Sequence, residues 1–196
     1  MQQTSKKLIR AAVAVSLALT APLAGAVDVG LGVTINNEGG GSGGYGVSLP
    51  LRFGNFTVEP ELSFYDSSED ITHPTSPTNN NASDYQQYTL ETGVYWRRPV
   101  IPWVEMYVGG RVGYTRSEQS GAYPSSPNSN YAYDSSGSYL GPTLGAEYFF
   151  NKHFSLGLDV SLLFESTTQE RTTGSPYTQD TDEINYQSRA KLRFYF

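Results

Sequence analysis

Apolar side chains recur at every second position through most of this 196-residue chain, and the positions between them collect the charge. Val27, Val29, Leu31, Val33 and Ile35 are apolar, while Asp28, Gly30, Gly32 and Thr34 between them are small or polar. Successive side chains of a strand point to opposite faces, so this rhythm predicts a strand with one apolar face. The same phase runs through residues 45–53, 56–64, 88–96, 106–114, 140–150, 154–164 and 184–196. These are eight segments of roughly 9 to 13 residues, close to the length a tilted strand needs to cross a bilayer.

Charge placement separates a membrane sheet from a soluble one. The 44 apolar-phase positions of the eight segments hold no Asp, Glu, Lys or Arg; an even spread of the charges in residues 27–196 would put about 7 or 8 there. The other phase holds Asp28, Glu59, Glu61, Glu91, Glu105, Glu147, Asp159 and Glu165 together with Arg52, Arg97, Arg111, Arg189, Lys191 and Arg193. A lipid-facing Lys or Arg at mid-membrane costs about 2–4 kcal/mol, whereas a soluble barrel turns its charges outward. The pattern predicts an all-β chain, an eight-stranded antiparallel up-and-down transmembrane β-barrel with its apolar face to lipid and its charges enclosed. Mean hydropathy is −0.41, but window averages miss apolar residues hidden in alternation.

The amino terminus reads as an address. Lys6, Lys7 and Arg10 precede an apolar run from Ala11 to Leu23, and Ala24-Gly25-Ala26 is a small-x-small cleavage site before Val27. At about 13 residues the run falls short of the roughly 20 that span as a helix. Residues 1–26 are therefore expected to be a cleavable signal peptide and 27–196 one outer-membrane β-barrel domain. The chain has no cysteine, which leaves no thiol for lipid attachment or a disulfide. Without the signal, 10 Lys+Arg stand against 19 Asp+Glu, a net charge of −9, and that acidity argues against a nucleic-acid partner.

Connection lengths alternate. Gly54-Asn55 suits a tight hairpin and Asn151-Lys152-His153 is nearly as short, while residues 36–44, 66–84, 117–137 and 166–183 are expected to be long links rich in Ser, Thr, Asn, Gly and Pro. Outer-membrane barrels keep short turns in the periplasm and long loops outside, which puts both termini in the periplasm. The long links carry eleven carboxylates against Arg171 and the flanking Arg116, so the outer rim is expected to be acidic. Phe53, Phe56, Trp96, Trp103, Phe150, Phe154 and Phe196 mark the turn-side interface, and Tyr45, Phe64, Tyr88, Tyr114, Phe164 and Tyr186 the loop side. Pro50, Pro60 and Pro142 lie within strands, where each must give up a ladder hydrogen bond or sit at a bulge.

The enclosed face predicts a packed charge network of Arg52, Glu59, Glu61, Glu91, Arg97, Glu105, Arg111, Glu147, Asp159, Arg189, Lys191 and Arg193, with inward glycines making room for the long side chains. Eight strands enclose a space that side chains fill, so a wide pore is excluded. Pairing residues 88–96 with 106–114 so that numbers sum to 202 sets Glu91 opposite Arg111, Arg97 opposite Glu105 and Tyr88 opposite Tyr114. Arg189, Lys191 and Arg193 are expected to face Glu147, Asp159 or Glu165. A static plug is favoured over a gated ion path, because filled small barrels are the norm.

The stretch Gly141-Pro142-Thr143-Leu144-Gly145-Ala146-Glu147-Tyr148-Phe149-Phe150, followed by Phe154-Ser155-Leu156-Gly157-Leu158, resembles the small OmpA/OmpX-like outer-membrane β-barrel family of Gram-negative bacteria. The resemblance covers residues 27–196 and implies a place in the outer membrane. It further implies that the last strand, Ile184 to Phe196, is read by the barrel-assembly machinery, with Leu192, Phe194 and Phe196 as the signal. No peptidoglycan-binding domain follows Phe196, so the anchoring role of two-domain relatives is not carried over.

Catalysis and metal binding find weak support. His153-x-Ser155 matches the His-x-Ser spacing of lipid A deacylases, but His153 falls in a turn and Glu165 lies about 33 Å along the same strand, outside the reach of a triad. His73, near Glu69 and Asp70, reads as a solvated loop histidine. The acidic runs 66–70 and 180–183 lack the glycine and spaced ligands of a calcium loop, and the glycine-rich run 39–44 lacks the lysine and helix of a phosphate loop. The reading is a non-enzymatic protein without catalytic, metal or cofactor residues. It acts as a structural or surface-interaction monomer whose partners are outer-membrane lipid, lipopolysaccharide, the assembly machinery and a host or cell-surface ligand of the loops. The alternatives are a narrow ion or small-solute channel and, more weakly, a lipid A-modifying enzyme.

Overall fold

The computed structural model describes residues 27–38, 43–71, 81–122, 130–173 and 177–196. The expected signal peptide, His73 and part of the glycine-rich run lie outside the described residues. Nine antiparallel strands form one sheet: β1 (Asp28–Glu38), β2 (Gly43–Ser48), β3 (Leu51–Phe53), β4 (Phe56–Ile71), β5 (Asn81–Ile101), β6 (Val104–Ala122), β7 (Asn130–Phe149), β8 (Phe154–Arg171) and β9 (Thr178–Tyr195). Their order is β2-β1-β3-β4-β5-β6-β7-β8-β9, with further pairings of β2 with β4 and of β1 with β9.

The eight-stranded up-and-down barrel expected from the alternation is thus corrected to a nine-stranded sheet. The extra strand arises at Leu49-Pro50, which separates β2 from β3, although both pair with β1 and β4. Proline has no N–H to give a ladder. Its carbonyl still accepts from Gly30 N at 2.8 Å, and Leu49 N donates to Pro60 O at 2.9 Å, so the chain bridges the break. Pro60 and Pro142 remain inside strands; Pro142 opposes Gly110 but has no partner on the β8 side.

The strands outrun the apolar band. Pairing continues to Ile71↔Asn81, Ala122↔Asn130 and Glu170↔Thr178, so three of the four expected long links are mostly hairpin arms. The short ends are Gly54-Asn55, Pro102-Trp103 and residues 150–153. Trp103 takes a positive φ of 71°, rare for a bulky residue. The β5–β6 register also departs from expectation. Gly93, not Glu91, opposes Arg111, and Tyr88 opposes Arg116, because the hairpin turns at Pro102-Trp103 and its register shifts between Pro99 and Ile101. A shift of that kind is invisible to the alternation on either side.

Outward residues stay exposed over a wide belt, among them Leu90 at 61%, Leu140 at 62% and Val160 at 57%. A soluble protein would not leave so continuous an apolar surface in water. From Phe154 to Phe164 the belt covers about 33 Å of strand, or roughly 25 Å of height at the usual tilt, the depth of a membrane's apolar layer. The aromatic residues expected at both interfaces all lie on this outer face. No helix is long and apolar enough to cross a membrane among the described residues.

Candidate functional site

The buried face of the sheet carries ions. Six cations and six carboxylates meet there in one continuous set: Arg52, Arg97, Arg111, Arg189, Lys191 and Arg193 with Glu59, Glu61, Glu91, Glu105, Glu147 and Asp159. At the turn end Glu105 takes Arg52 Nη2 at 3.0 Å and Arg97 Nε at 3.1 Å. Arg97 also binds Glu147, which takes Arg193 Nη1 at 2.9 Å. Arg193 reaches Glu59 through Nε at 2.9 Å and Nη2 at 2.8 Å. Lys191 Nζ then lies 3.1 Å from Glu59, 3.3 Å from Glu61 and 3.5 Å from Asp159. Nearest the arms, Arg111 reaches Glu91 at 2.8 Å and Asp159 at 3.2 Å, and Arg189 binds Glu91 and sits 3.5 Å from Glu61.

Geometry explains why these partners differ from the register. Arg111 lies two residues off Glu91, yet a guanidinium is long enough to span that diagonal. Arg189 opposes Asp159 on β8 but crosses the interior to Glu91 on β5. Of the partners expected for β9, Glu147 holds Arg193 and Asp159 lies near Lys191, while Glu165 accepts from Thr167 and Asn185 instead. With equal numbers of the two signs the set is formally neutral, which is what tolerance of low dielectric requires.

Four tyrosines that alternation alone does not single out lock this set. Tyr95 OH takes Arg111 Nη2 at 3.0 Å, Tyr107 OH donates to Asp159 at 3.1 Å, Tyr195 OH donates to Glu147 at 3.0 Å, and Tyr139 OH donates to Glu91. Each stands opposite a glycine on the next strand: Tyr95 and Gly109, Tyr107 and Gly145, Tyr139 and Gly113, Tyr195 and Gly30. A Cβ on Gly145 or Gly113 would fall inside its tyrosine ring's contact distance. Gly113 and Gly145 therefore make room for tyrosine rings, as Gly93 does for Tyr95, while Gly46 and Gly157 make room for Glu61 and Arg193 as the sequence suggests. The signal in the sequence is a set of tyrosines in the charged phase facing glycine on the adjacent segment.

The remaining sites of interest stay apart. Ser155 is buried and donates to Glu147, whereas the His153 ring sits 2.8 Å from the Tyr195 carbonyl, so His153, Ser155 and Glu165 are not assembled into a triad. Residues 66–70 and 180–183 are strand segments of β4 and β9, and no group of metal-ligating side chains gathers among the described residues. Leu192, Phe194 and Phe196 point outward at the turn end of β9, with the Phe194 and Phe196 rings edge-on at 5.3 Å. Two hollows flank the ions. One of about 510 Å³ lies at the turn end between Arg52, Glu105, Phe149 and residues 99–104, and one of about 20 Å³ lies on the arm side beside Glu91.

Comparison with known proteins follows the same architecture. The family model described as an outer membrane protein beta-barrel domain matches residues 9–194. Among solved structures, a major outer membrane protein from Thermus thermophilus is 16% identical, covering 87% of this chain and 100% of its own, with a TM-score of 0.61. The outer membrane protein OprG from Pseudomonas aeruginosa is 14% identical over 87% of this chain and 94% of its own, with a TM-score of 0.55. At these identities the likeness is one of fold. No curated protein matches the chain.

Proposed function

Because the chain belongs to the outer membrane protein beta-barrel domain family, we propose that it is a non-enzymatic surface protein of the outer membrane, with a structural or interaction role. In this reading the ionic interior makes a rigid, side-chain-filled scaffold, and the long β-arms carry recognition outside the cell. The observation that carries it is the pairing of every network ion with another network ion: a formally neutral set leaves no unbalanced charge to hold a permeant ion. Asp66, Asp84, Glu118, Asp180 and Asp182 stand exposed on the arms, which supports an acidic face toward lipopolysaccharide and neighbouring surfaces. Leu192, Phe194 and Phe196 form the outward ridge that the assembly machinery would read.

Placement is testable directly, since the chain has no cysteine of its own. Cysteines introduced at Ser120 or Asp180 on the arms are expected to react with a membrane-impermeant maleimide on intact cells. Cysteines at Asn55 or Lys152 in the turns should react only after the outer membrane is opened. The opposite pattern would invert the protein and remove the surface role. In planar bilayers the protein should give no single-channel steps; steady steps, changed in an Arg111→Glu variant, would move the role to that of a narrow channel.

A further inference from the structure

Beyond Glu91 and Arg189 the inner face changes chemistry. Ser63 and Tyr65 on β4, Gln87 and Tyr85 on β5, Asn36 on β1 and Gln187 on β9 replace the ions with amides and hydroxyls. The outer face of the same arms turns from apolar to acidic, with Asp66 and Asp84 exposed. Among the described side chains of residues 63–68 and 83–88 the two faces of this hairpin therefore differ: carboxylates outside, uncharged hydrogen-bonding groups and tyrosines inside.

The small hollow of about 20 Å³ lies at the base of this neutral lining, among Asn36, Ser63, Tyr65, Gln87, Thr89 and Gln187. That is room for one water or one hydroxyl group. Asn36 is 6% exposed; its amide donates to Ser63 Oγ at 3.2 Å, while its Oδ1 is a buried acceptor without a partner. Buried acceptors are rarely left unmatched in folded proteins. Glu91, the one carboxylate on the hollow's wall, is already held by Arg111 and Arg189. Above it the Tyr65 and Tyr85 rings lie 5.8 Å apart and tilted by 58°, and Tyr85 OH donates to Gln87 Oε1 at 2.6 Å.

We propose that this mouth binds a neutral carbohydrate. One sugar hydroxyl enters the hollow and donates to Asn36 Oδ1, neighbouring hydroxyls exchange hydrogen bonds with the Gln87 and Ser63 side chains, and the C–H face of the ring packs on Tyr65 and Tyr85. Tyrosine suits that task because it offers an apolar body with a polar tip, and amides and hydroxyls both donate and accept. An anionic saccharide would meet the repulsion of Asp66 and Asp84, and a cation would find no unpaired carboxylate in the hollow.

This inference rests on the arms being the recognition end, but its test does not use cells. The full chain in micelles of a detergent without a sugar headgroup is titrated with maltotriose, triacetylchitotriose and, as the anionic counterpart, trigalacturonate, and binding is read by saturation-transfer NMR. At least one neutral trisaccharide should bind, trigalacturonate should not, and Tyr85→Ala or Gln87→Leu should weaken binding about tenfold, a loss of about 1.4 kcal/mol. Asp84→Asn on the outer face should leave it unchanged. Lack of transfer to both neutral sugars at tens of millimolar, equal transfer to the anionic one, or undiminished binding in both mouth variants would overturn the site. Whole-cell labelling tests placement and titration tests the site, so each fails on its own terms.

Discussion

Glu59→Gln is expected to destabilise the protein by about 3 kcal/mol, read as a lower midpoint of urea unfolding from lipid vesicles. Glu59 is 1% exposed and is bound by Arg193, Lys191 and Ser48. The amide keeps the size but removes the charge that balances two cations, and its NH2 group turns a donor toward donors. Arg193 retains Glu147 and Lys191 retains Glu61 and Asp159, which holds the loss near the lower end of the about 3–5 kcal/mol typical of a broken buried pair. Adding Lys191→Met to Glu59→Gln restores equal numbers of the two signs and should recover a substantial part of the loss. Glu118→Gln is the control: its pair with Arg116 spans 3.6 Å with both side chains about half exposed, and such pairs contribute roughly 0–1 kcal/mol. Equal midpoints for wild type and Glu59→Gln would mean that the ions are tolerated by the fold without stabilising it.

The faces of the strands are legible in the sequence, and the contacts across the interior are not. A two-residue period assigns Val33, Leu90 or Val160 to the outside because a charge in that phase would meet lipid, and this holds whatever the register. It does not register a break that preserves the phase: Val47, Leu49, Leu51 and Phe53 alternate straight through Leu49-Pro50, yet β2 ends there and Leu51 is buried. Nor does it locate a turn or count a bulge: the turn at Pro102-Trp103 and the one-residue slip between Pro99 and Ile101 together set the β5–β6 pairing two residues from expectation while leaving every face correct. The partner of Arg189 depends on which strands face each other across the interior, and no local pattern carries that. The arms read as loops because both of their faces are polar, which erases the alternation without preventing backbone pairing. The tyrosines escape notice for a related reason: aromatic residues suggest lipid, and only their phase places Tyr95, Tyr107, Tyr139 and Tyr195 inside.

Those tyrosines and their glycines lead to the second large effect. Gly109→Ala is expected to cost about 3 kcal/mol, while Gly110→Ala, one residue along the same strand, should cost less than about 1 kcal/mol. A Cβ on Gly109 would overlap the Val94 carbonyl and the Tyr95 backbone on β5, whereas on Gly110 its nearest neighbour would be Gly141 O at 3.3 Å. The first clash is with backbone, so relief requires the β5–β6 ladder to separate where Tyr95 is hydrogen-bonded to Arg111; the second is relieved by a few tenths of an ångström, and alanine removes some of glycine's entropy cost in a strand. Gly141→Ala should resemble Gly109→Ala, since its Cβ would overlap Leu162 O. Gly145→Ala separates a side-chain clash from a backbone one. Its Cβ would strike the Tyr107 ring, which packs 5.2 Å from Tyr95 and under the Arg97 and Arg193 guanidinium groups, so Tyr107→Leu should rescue much of the Gly145→Ala loss and none of the Gly109→Ala loss. Unfolding midpoints for the four single glycine variants and the two doubles decide this. If Gly109→Ala and Gly110→Ala unfold together, the close approach of β5 to β6 at Tyr95 is not needed for the fold; if Tyr107→Leu fails to rescue Gly145→Ala, the tyrosine ring is not what that glycine accommodates.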